Sequence, residues 1–186
     1  MRIVGGEFRG RRLAAPHSDA IRPTSDRVRG AIFDILRHGI DGFEIGGARV
    51  VDLFAGTGAL GLEALSRGAR FALFVDMSAQ ARALIRRNIE ALALTGRTRV
   101  WRRDATRLGS LEALAPFDLL FADPPYGKGL GEASLIAAIA GCWLAPGAIC
   151  VVEEAANAPF SLPEGLERIH ERRYGDTATR FLRYRA

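Results

Sequence analysis

A carboxylate, two prolines and an aromatic ring follow one another at Asp123-Pro124-Pro125-Tyr126, directly after the apolar run 117–122. Proline fixes φ at about −65°, lacks an N–H and forces the residue before it into an extended conformation. The four residues therefore predict a stiff loop at the carboxyl end of a buried strand, which is where open α/β sheets bind ligands. This loop offers two hydrogen-bond acceptors, the Asp123 carboxylate and the Pro124 carbonyl, beside a ring on which a base can stack. A plain turn with a packed tyrosine is the alternative.

A glycine-rich segment, Gly56-x-Gly58-x-x-Gly61, follows a predicted strand at 48–54 and opens a predicted helix. Asp76 lies 20 residues after Gly56, at the end of the next predicted strand. This glycine pattern lets a ligand approach the backbone closely, and the later acid can accept hydrogen bonds from a ribose diol. The pattern by itself fits two cofactors, NAD(P) and S-adenosylmethionine.

Three further features favour S-adenosylmethionine. Asp52, four residues before Gly56, would repel a pyrophosphate but suits a cofactor with ammonium and sulfonium groups. Asp104 follows a third predicted strand, where its carboxylate can meet the adenine amino group. Methyl transfer to an amino group requires a loop such as 123–126, whereas hydride transfer does not. The expected cofactor-binding residues are Asp52, Phe54, Ala55, Gly56, Gly58, Asp76, Met77, Asp104 and Ala105, and no metal ligands are expected.

The positive charge is concentrated near the N-terminus. The chain has a net charge of +5, and residues 1–30 alone contain seven arginines against three acidic residues. A basic segment on a nearly neutral body indicates contact with phosphates, and arginine forks suit such contacts. A solvated charge run is the alternative. The residues expected to bind nucleic acid are Arg9, Arg11, Arg12, Arg22, Arg27 and Arg29.

Alternating strands and helices are needed to position these groups. Apolar residues at helical spacing predict a first helix from a cap at Thr24 or Ser25 to about Leu36. Strands predicted at 48–54, 71–75, 99–101, 117–122 and 148–152 alternate with helices at about 59–67, 78–94 and 133–144. Alternating runs at 166–174 and 178–184 predict a terminal antiparallel hairpin. The expected fold is a doubly wound, Rossmann-like α/β domain with a mostly parallel seven-stranded sheet.

One domain is expected over residues 1–186, with a small basic hairpin or arm at 1–24 and the α/β core at 25–186. Cys142 and Cys150 lie in apolar surroundings, which predicts buried thiols in a reducing, cytoplasmic compartment. No secretory leader is expected, because residues 1–6 lack an apolar core. The uncharged stretch 133–152 has membrane-spanning length, but Pro146-Gly147 favours a buried helix, a turn and a strand.

The chain resembles a known family over nearly its whole length. Segment 52–69 and the 123–126 loop are similar to the cofactor and catalytic motifs of class I N-methyltransferases. With segments 2–13 and 22–29, the chain resembles the bacterial family that methylates guanine N2 in small-subunit (16S) ribosomal RNA. The resemblance implies S-adenosylmethionine as cofactor and Asp123 to Tyr126 as catalytic residues. It also implies ribosomal RNA within a small-subunit assembly particle as partner, with no membrane involved.

Three positions differ from the pattern of that family. Gly30 and Asp34 replace an expected glutamate and asparagine on the first predicted helix, and Asp76 replaces the commoner glutamate. The Asp76 contact with the ribose is therefore expected to be made by a shorter side chain.

Several alternatives remain open at the level of sequence. Guanine presents two adjacent donors, N1–H and N2–H, to a carboxylate that only accepts, whereas adenine presents a donor beside an acceptor. Methylation of adenine N6 or cytosine N4 in nucleic acid is the alternative with the same fold, although 186 residues leave no room for a separate DNA-reading domain. An NAD(P) oxidoreductase and a basic RNA-binding assembly factor without activity are the alternatives from other classes.

Overall fold

The computed structural model describes residues 1–15, 25–111 and 114–185. A helix, α1 (Asp26–His38), precedes a regular alternation of strands and helices. The elements that follow are β1 (Arg49–Leu53), α2 (Ala59–Ser66), β2 (Phe71–Val75), α3 (Ala79–Ala91), β3 (Thr98–Trp101), β4 (Phe117–Ala122), α4 (Leu130–Ala140), β5 (Leu144–Ala155), β6 (Leu166–Tyr174) and β7 (Thr177–Tyr184).

All seven strands form one sheet in the order β3-β2-β1-β4-β5-β7-β6. Pairing is parallel from β3 to β5, whereas β7 pairs antiparallel with both β5 and β6. The chain order reverses between β1 and β4, which makes this the switch point where doubly wound sheets bind ligands. The predicted fold, including its terminal hairpin, is confirmed.

The sheet has an apolar layer on each face. On one face, α1, α2 and α3 pack over β1, β2 and β4, and α1 contributes its predicted apolar stripe through Ile32, Phe33 and Leu36. On the other face, Trp143 and α4 cover β4 and β5. Ser25 caps α1 by accepting a hydrogen bond from the Val28 N–H at 3.2 Å, as one of the two predicted caps.

Several element boundaries differ from the predicted ones. α3 ends at Ala91 rather than near residue 94, because Ala93 adopts a left-handed φ of 55° and a 3₁₀ turn follows at Thr95–Arg97. The predicted 133–144 helix is shifted toward the N-terminus and forms α4, while β5 begins four residues earlier than expected. None of the described helices is long and apolar enough to cross a membrane.

The two cysteines differ from each other. Cys150 is buried in β5, as predicted, and burial raises the pKa of its thiol to about 12. Cys142 is exposed, so its predicted burial is wrong. It lies in the turn between α4 and β5 with a left-handed φ of 58°.

Residues 1–15, the described part of the segment predicted as an arm at 1–24, fold back on themselves. An antiparallel bridge joins Arg2 and Arg12, and the Ile3 N–H donates to the Arg11 carbonyl at 2.9 Å. Ile3 and Leu13 are buried against the core, so the arm is a packed part of the structure and not a free tail. The boundary predicted between residues 24 and 25 falls beside segment 16–24, which lies outside the described residues.

Glu63 of α2 anchors the arm. Its carboxylate is fully buried and accepts hydrogen bonds from the Val4 and Gly5 N–H groups, both at 2.8 Å. It also accepts from Arg67 at 2.8 Å and forms an ion pair with Arg29 at 3.5 Å. One side chain of α2 therefore satisfies two backbone donors of the arm and two guanidinium groups.

The predicted nucleic-acid contact by Arg29 is wrong. Its side chain is fully buried and is held between Glu63 and Asp26, and it also donates to the Arg2 carbonyl. A buried, paired guanidinium cannot reach a phosphate. Arg22, another predicted contact, lies outside the described residues.

Candidate active site

A cleft of about 730 Å³ opens at the carboxyl edge of the sheet. Its floor lies where β1, β2, β4 and β5 end, and its walls include the start of α1 and the β6–β7 hairpin. The residues that line it and that the sequence predicted are Asp52, Phe54, Ala55, Gly56, Asp76, Asp123, Pro124, Pro125 and Tyr126. The structure thus brings the glycine loop and the 123–126 loop to one cavity.

Two physical requirements explain the three glycines of the glycine loop. Gly56 and Gly58 adopt left-handed φ values of 56° and 77°, which residues with a Cβ rarely tolerate. Gly61 lies in α2 directly over Phe74, and a Cβ added there would be 2.4 Å from the ring. The loop therefore turns tightly at its first two glycines and packs its helix closely on β2 at the third.

Asp52 is a buried carboxylate at the end of β1. It lines the cleft and accepts a hydrogen bond from the Gly61 N–H at 2.9 Å. Burial raises the pKa of Asp52 well above its usual value, and the charges of Asp123 and Asp76 raise it further, while the Gly61 hydrogen bond lowers it. Three neighbouring acids thus make this end of the cleft favourable for a cation.

Asp76 fastens the ends of β1 and β2 together. One of its carboxylate oxygens accepts from the Gly56 N–H at 2.9 Å, and the other accepts from the Ser78 N–H at 2.8 Å. Arg82 donates to the Asp76 carbonyl at 3.0 Å and to the Met77 carbonyl at 2.8 Å. A carboxylate has about four acceptor sites, so these two bonds leave capacity for hydroxyl groups of a ligand.

The 123–126 loop is braced from β5. Glu154 is 2% exposed and accepts hydrogen bonds from the Gly127 N–H at 2.8 Å and from its neighbour's N–H, that of Ala155, at 2.7 Å. This carboxylate fixes the backbone immediately after Tyr126. Two prolines stiffen one end of the loop and Glu154 holds the other, so the position of the acceptors at Asp123 and Pro124 is set before a ligand arrives.

Four of the predicted cofactor residues do not line the cleft, namely Gly58, Met77, Asp104 and Ala105. Gly58 caps the start of α2, and Met77 lies beside the cleft with 54% of its surface exposed. Asp104 follows β3 and accepts two hydrogen bonds from Thr106, at 2.7 and 2.9 Å, which lower the pKa of its carboxyl. The contact of Asp104 and Ala105 with a cofactor stays a prediction.

The cleft also contains residues that were not predicted as site residues. Ser25 and Val28 come from the start of α1, Glu153 from β5, and Tyr174 and Thr177 from the hairpin. Ser25 and Val28 belong to segment 22–29, whereas no motif marks Glu153, Tyr174 and Thr177, whose place in the cleft depends on the pairing of β5, β7 and β6 in the sheet. The short turn at Gly175-Asp176 was the available signal, because it places one end of the hairpin beside the carboxyl end of β5.

The charge of the lining is one-sided. Asp52, Asp76, Asp123 and Glu153 line the cleft, and among the described residues no arginine, lysine or histidine does. Such a lining attracts a cationic ligand and repels a pyrophosphate. The described residues contain no group of three or more acidic, histidine or cysteine side chains placed to hold a metal ion.

The arm carries its arginines on the surface. Arg9, Arg11 and Arg12 are exposed, and Arg27 is exposed in the first turn of α1. Arg11 also donates to the Ala91 carbonyl at the end of α3 at 2.9 Å. The arm is also joined to the glycine loop through Asn88 of α3. The Asn88 side chain accepts a hydrogen bond from the Ala14 N–H at 2.7 Å and donates one to the Thr57 carbonyl at 3.0 Å.

A protein-family model described as "Conserved hypothetical protein 95" matches residues 1–183. The chain belongs to this family. Ribosomal RNA small subunit methyltransferase D of Escherichia coli (strain K12) is 36% identical over 181 residues, which cover 97% of this chain and 88% of that protein. The protein of the same name from Haemophilus influenzae is 31% identical, over 94% of this chain and 89% of that protein.

Solved structures agree with these relatives of the family. The Escherichia coli protein yhhF has a TM-score of 0.85 and 33% identity, with 100% of this chain and 98% of that chain covered. A hypothetical protein of Thermus thermophilus, TTHA0928, has a TM-score of 0.73 and 30% identity, with 97% and 98% covered. The predictions of a Rossmann-like fold and of a methyltransferase are thereby confirmed.

Proposed function

We propose that the protein is an S-adenosylmethionine-dependent methyltransferase that methylates the exocyclic N2 of a guanine in small-subunit ribosomal RNA. The observation that carries this proposal is the shared cleft. The acceptor loop at Asp123 and the glycine loop at Gly56 line one cavity whose walls are acidic. The relatives named ribosomal RNA small subunit methyltransferase D support the reaction and the class of substrate.

The lining fits S-adenosylmethionine, which supplies an electrophilic methyl group on a sulfonium when it is bound. Asp52 and the left-handed glycine loop would hold the charged amino-acid end, since a buried carboxylate and close backbone approach suit an ammonium group. Asp76 would accept from the ribose hydroxyls. Asp104 and Ala105 are proposed to lie near the adenine, beyond the end of the cleft as the structure defines it.

Asp123 and Pro124 are proposed to activate the amine. The lone pair of the guanine N2 amine is delocalised into the ring, so the amine is a poor nucleophile. When the Asp123 carboxylate and the Pro124 carbonyl accept hydrogen bonds from the N–H groups of the amine, the lone pair localises on nitrogen and is directed at the methyl donor. The carboxylate also stabilises the positive charge that develops on nitrogen, and the stiff loop supplies orientation.

Tyr126 is proposed to receive the base. A base within folded RNA must leave its stack before its amine can enter the cleft. Stacking on an aromatic ring is worth about 1–3 kcal/mol per base, which offsets part of that cost. Pro125 keeps the ring beside Asp123 because its fixed φ leaves the loop little freedom.

The exposed arginines of the arm are proposed to bind the RNA backbone. Arg9, Arg11 and Arg12 lie on one packed hairpin that also bonds to the glycine loop through Asn88, so a bound RNA would be held in register with the cleft. Because bacterial ribosomal RNA lies in the cytoplasm, the proposed location of the protein is the cytoplasm. The proposed form of the substrate is an assembling small subunit.

The lining of the cleft also bears on the alternative functions. A hydride transferase would have to place the NAD(P) pyrophosphate among four carboxylates, which the charge of the lining disfavours. An N6-adenine or N4-cytosine methyltransferase would use the same loop and cofactor. The accept-only carboxylate of Asp123 favours guanine over adenine, because guanine presents two adjacent donors.

The direct test is mass mapping of methylated nucleosides after the protein and S-adenosylmethionine are incubated with ribosomal RNA, small subunits and DNA. N2-methylguanosine in the small-subunit RNA is the expected product. Methylated adenine or cytosine, or modification of DNA alone, would overturn the assignment of the base.

The substitution Asp123→Ala supplies a second test of the proposed function. We expect methyl transfer to be lost while S-adenosylhomocysteine still binds in calorimetry, because Asp123 acts on the amine. Asp123→Asn is the matched control for shape: it keeps one acceptor and removes the charge, and intermediate activity is expected. Unchanged turnover in Asp123→Ala would contradict the proposed role of the loop.

A further inference from the structure

The acidic lining creates a problem for the substrate. The target base must enter a cleft lined by Asp52, Asp76, Asp123 and Glu153, yet the base is attached to a backbone of negatively charged phosphates. A base flips by rotation about its own backbone, so the adjoining phosphates stay close to the cleft mouth. Positive charge is therefore needed at the mouth, outside the lining, to hold them.

The β6–β7 hairpin brings an arginine to that mouth. Tyr174 and Thr177 line the cleft and pair with each other across the hairpin, as Arg172 pairs with Thr179. Residues two apart on a strand point to the same face, so Arg172 lies on the side of the sheet to which Tyr174 belongs. The Arg172 side chain is exposed and forms no ion pair or side-chain hydrogen bond with another described residue.

A second arginine faces this position from α1. Ser25 and Val28 line the cleft, and Arg27 lies between them in the first helical turn with its side chain exposed. Arg27, like Arg172, has no ion-pair partner among the described residues. Burial raises the pKa of the Tyr174 phenol; the charges of Arg172 and Arg27 act to lower it, and those of Glu153 and Asp34 act to raise it.

Tyr174 completes the group. Its hydroxyl is screened from solvent and has no hydrogen-bond partner among the described residues. A screened hydroxyl that is left without a partner is costly, and a ligand oxygen would satisfy it. Two guanidinium groups and one hydroxyl donor are a suitable set for a phosphate.

We propose that Arg27, Arg172 and Tyr174 form a clamp that binds the backbone phosphate next to the target nucleotide while its base enters the cleft. The clamp rests on the proposed function and adds a phosphate contact to the same site. It gives the C-terminal hairpin a role in binding RNA, and it separates two tasks: the arm at residues 1–15 holds distant backbone, and the clamp holds the phosphate beside the reacting base.

The hairpin offers a matched control for the test. Arg173 is the next residue on β6 and is exposed as well, but it points to the opposite face, where it pairs with Glu171 at 3.6 Å. Arg37 in the last turn of α1 is the corresponding control for Arg27. Arg173→Ala and Arg37→Ala remove the same charge from the same elements without touching the mouth.

The experiment measures binding of a small-subunit ribosomal RNA fragment as a function of salt, together with kcat and KM. In Arg27→Ala/Arg172→Ala we expect KM for RNA to rise about tenfold, and the slope of log Kd against log salt to shrink by about 0.7, one single-strand phosphate contact. Tyr174→Phe keeps the ring and loses the donor, and a rise in KM with the salt slope unchanged is expected. Binding of S-adenosylhomocysteine should stay as in the parent protein.

The outcomes separate the clamp from the function on which it rests. Equal loss of binding in the Arg173→Ala/Arg37→Ala control would overturn the clamp, because general charge would then explain the effect. Parent-like binding and KM in both clamp variants, Arg27→Ala/Arg172→Ala and Tyr174→Phe, would overturn it too. Since the titration needs no turnover, a parent protein that binds RNA but makes no N2-methylguanosine would contradict the proposed reaction while the clamp is still tested.

Discussion

Asp52, a proposed cofactor contact, combines a buried carboxylate with a cost in stability. Its raised pKa means that the folded protein holds a proton on this carboxyl more tightly than the unfolded chain does. Between the usual pKa of aspartate and the raised one, the free energy of unfolding therefore falls as pH rises. A cationic ligand reverses that penalty by pairing with the ionised form.

The substitution Asp52→Asn tests this balance. The amide oxygen can still accept from the Gly61 N–H, so we expect a higher Tm for the ligand-free protein at neutral pH. We expect S-adenosylmethionine to bind about 10–100-fold more weakly, because one charge pair is lost. Calorimetry of unfolding and of binding measures both. Asp41→Asn, at an exposed site, is the control, and undiminished affinity in Asp52→Asn would contradict the role of the charge.

Glu154 is a second single residue with a specific task, because its carboxylate holds the backbone at Gly127. Removing its side chain in Glu154→Ala leaves the Gly127 N–H without its acceptor and frees the end of the 123–126 loop. We expect kcat to fall about 10–100-fold, since misplacement by about 1 Å has effects of that size. The Kd for S-adenosylmethionine should change little. Steady-state kinetics and calorimetry check this, and an equal loss in both quantities would indicate general damage instead.

At the scale of elements, Glu63 joins the arm, α1 and α2. Removing it in Glu63→Ala would take away one carboxylate partner of the buried guanidinium of Arg29, which also contacts Asp26 and the Arg2 carbonyl. Loss of one partner of a buried ion pair costs about 3–5 kcal/mol. We expect a decrease of that size in the free energy of unfolding, measured with urea.

Glu90→Ala is the control for that measurement. Glu90 is an exposed acid on α3, and its removal should change stability by less than about 0.5 kcal/mol. A loss in Glu63→Ala as small as in this control would show that the arm is held by its apolar contacts through Ile3 and Leu13.

Periodicity and motifs predicted the helices and strands well. They predicted poorly those properties that depend on contacts between residues distant in sequence. The strand–glycine–helix pattern and the hairpin turn are local, so the alternation of elements and the mostly parallel sheet with a terminal hairpin followed from short-range signals and from the rules of parallel connection. Arg29 was assigned to nucleic acid because its partner Glu63 lies 34 residues away and no local signal links them. Glu153 and Tyr174 were missed for the same reason: the antiparallel pairing that carries them to the cleft is a property of the assembled sheet.

At the scale of the whole molecule, charge is divided between surface and cleft. Arg9, Arg11 and Arg12 are exposed on the arm, whereas the described lining of the cleft is acidic. Replacing the three arginines by alanine should weaken RNA binding and reduce the salt slope by about 2, because each lost phosphate contact removes about 0.7. Filter binding over a series of salt concentrations measures this.

Arg86→Ala/Arg87→Ala/Arg99→Ala is the matched control for the arm, since these arginines are exposed elsewhere on the molecule. The same loss in both triple variants would mean that overall charge, and not the arm, governs binding. Unchanged affinity and slope in the arm variant would leave its arginines as a solvated surface.

β5 has a consequence for how this family can change. Its neighbouring residues Glu153 and Glu154 point to opposite faces: one lines the cleft, and the other holds the loop that carries Asp123. Deleting or inserting one residue within the strand would reverse every side chain beyond that point and exchange the two carboxylates. Length variation between homologues should therefore accumulate in the loops and be absent from β5, where a single-codon change in length would remove both functions at once.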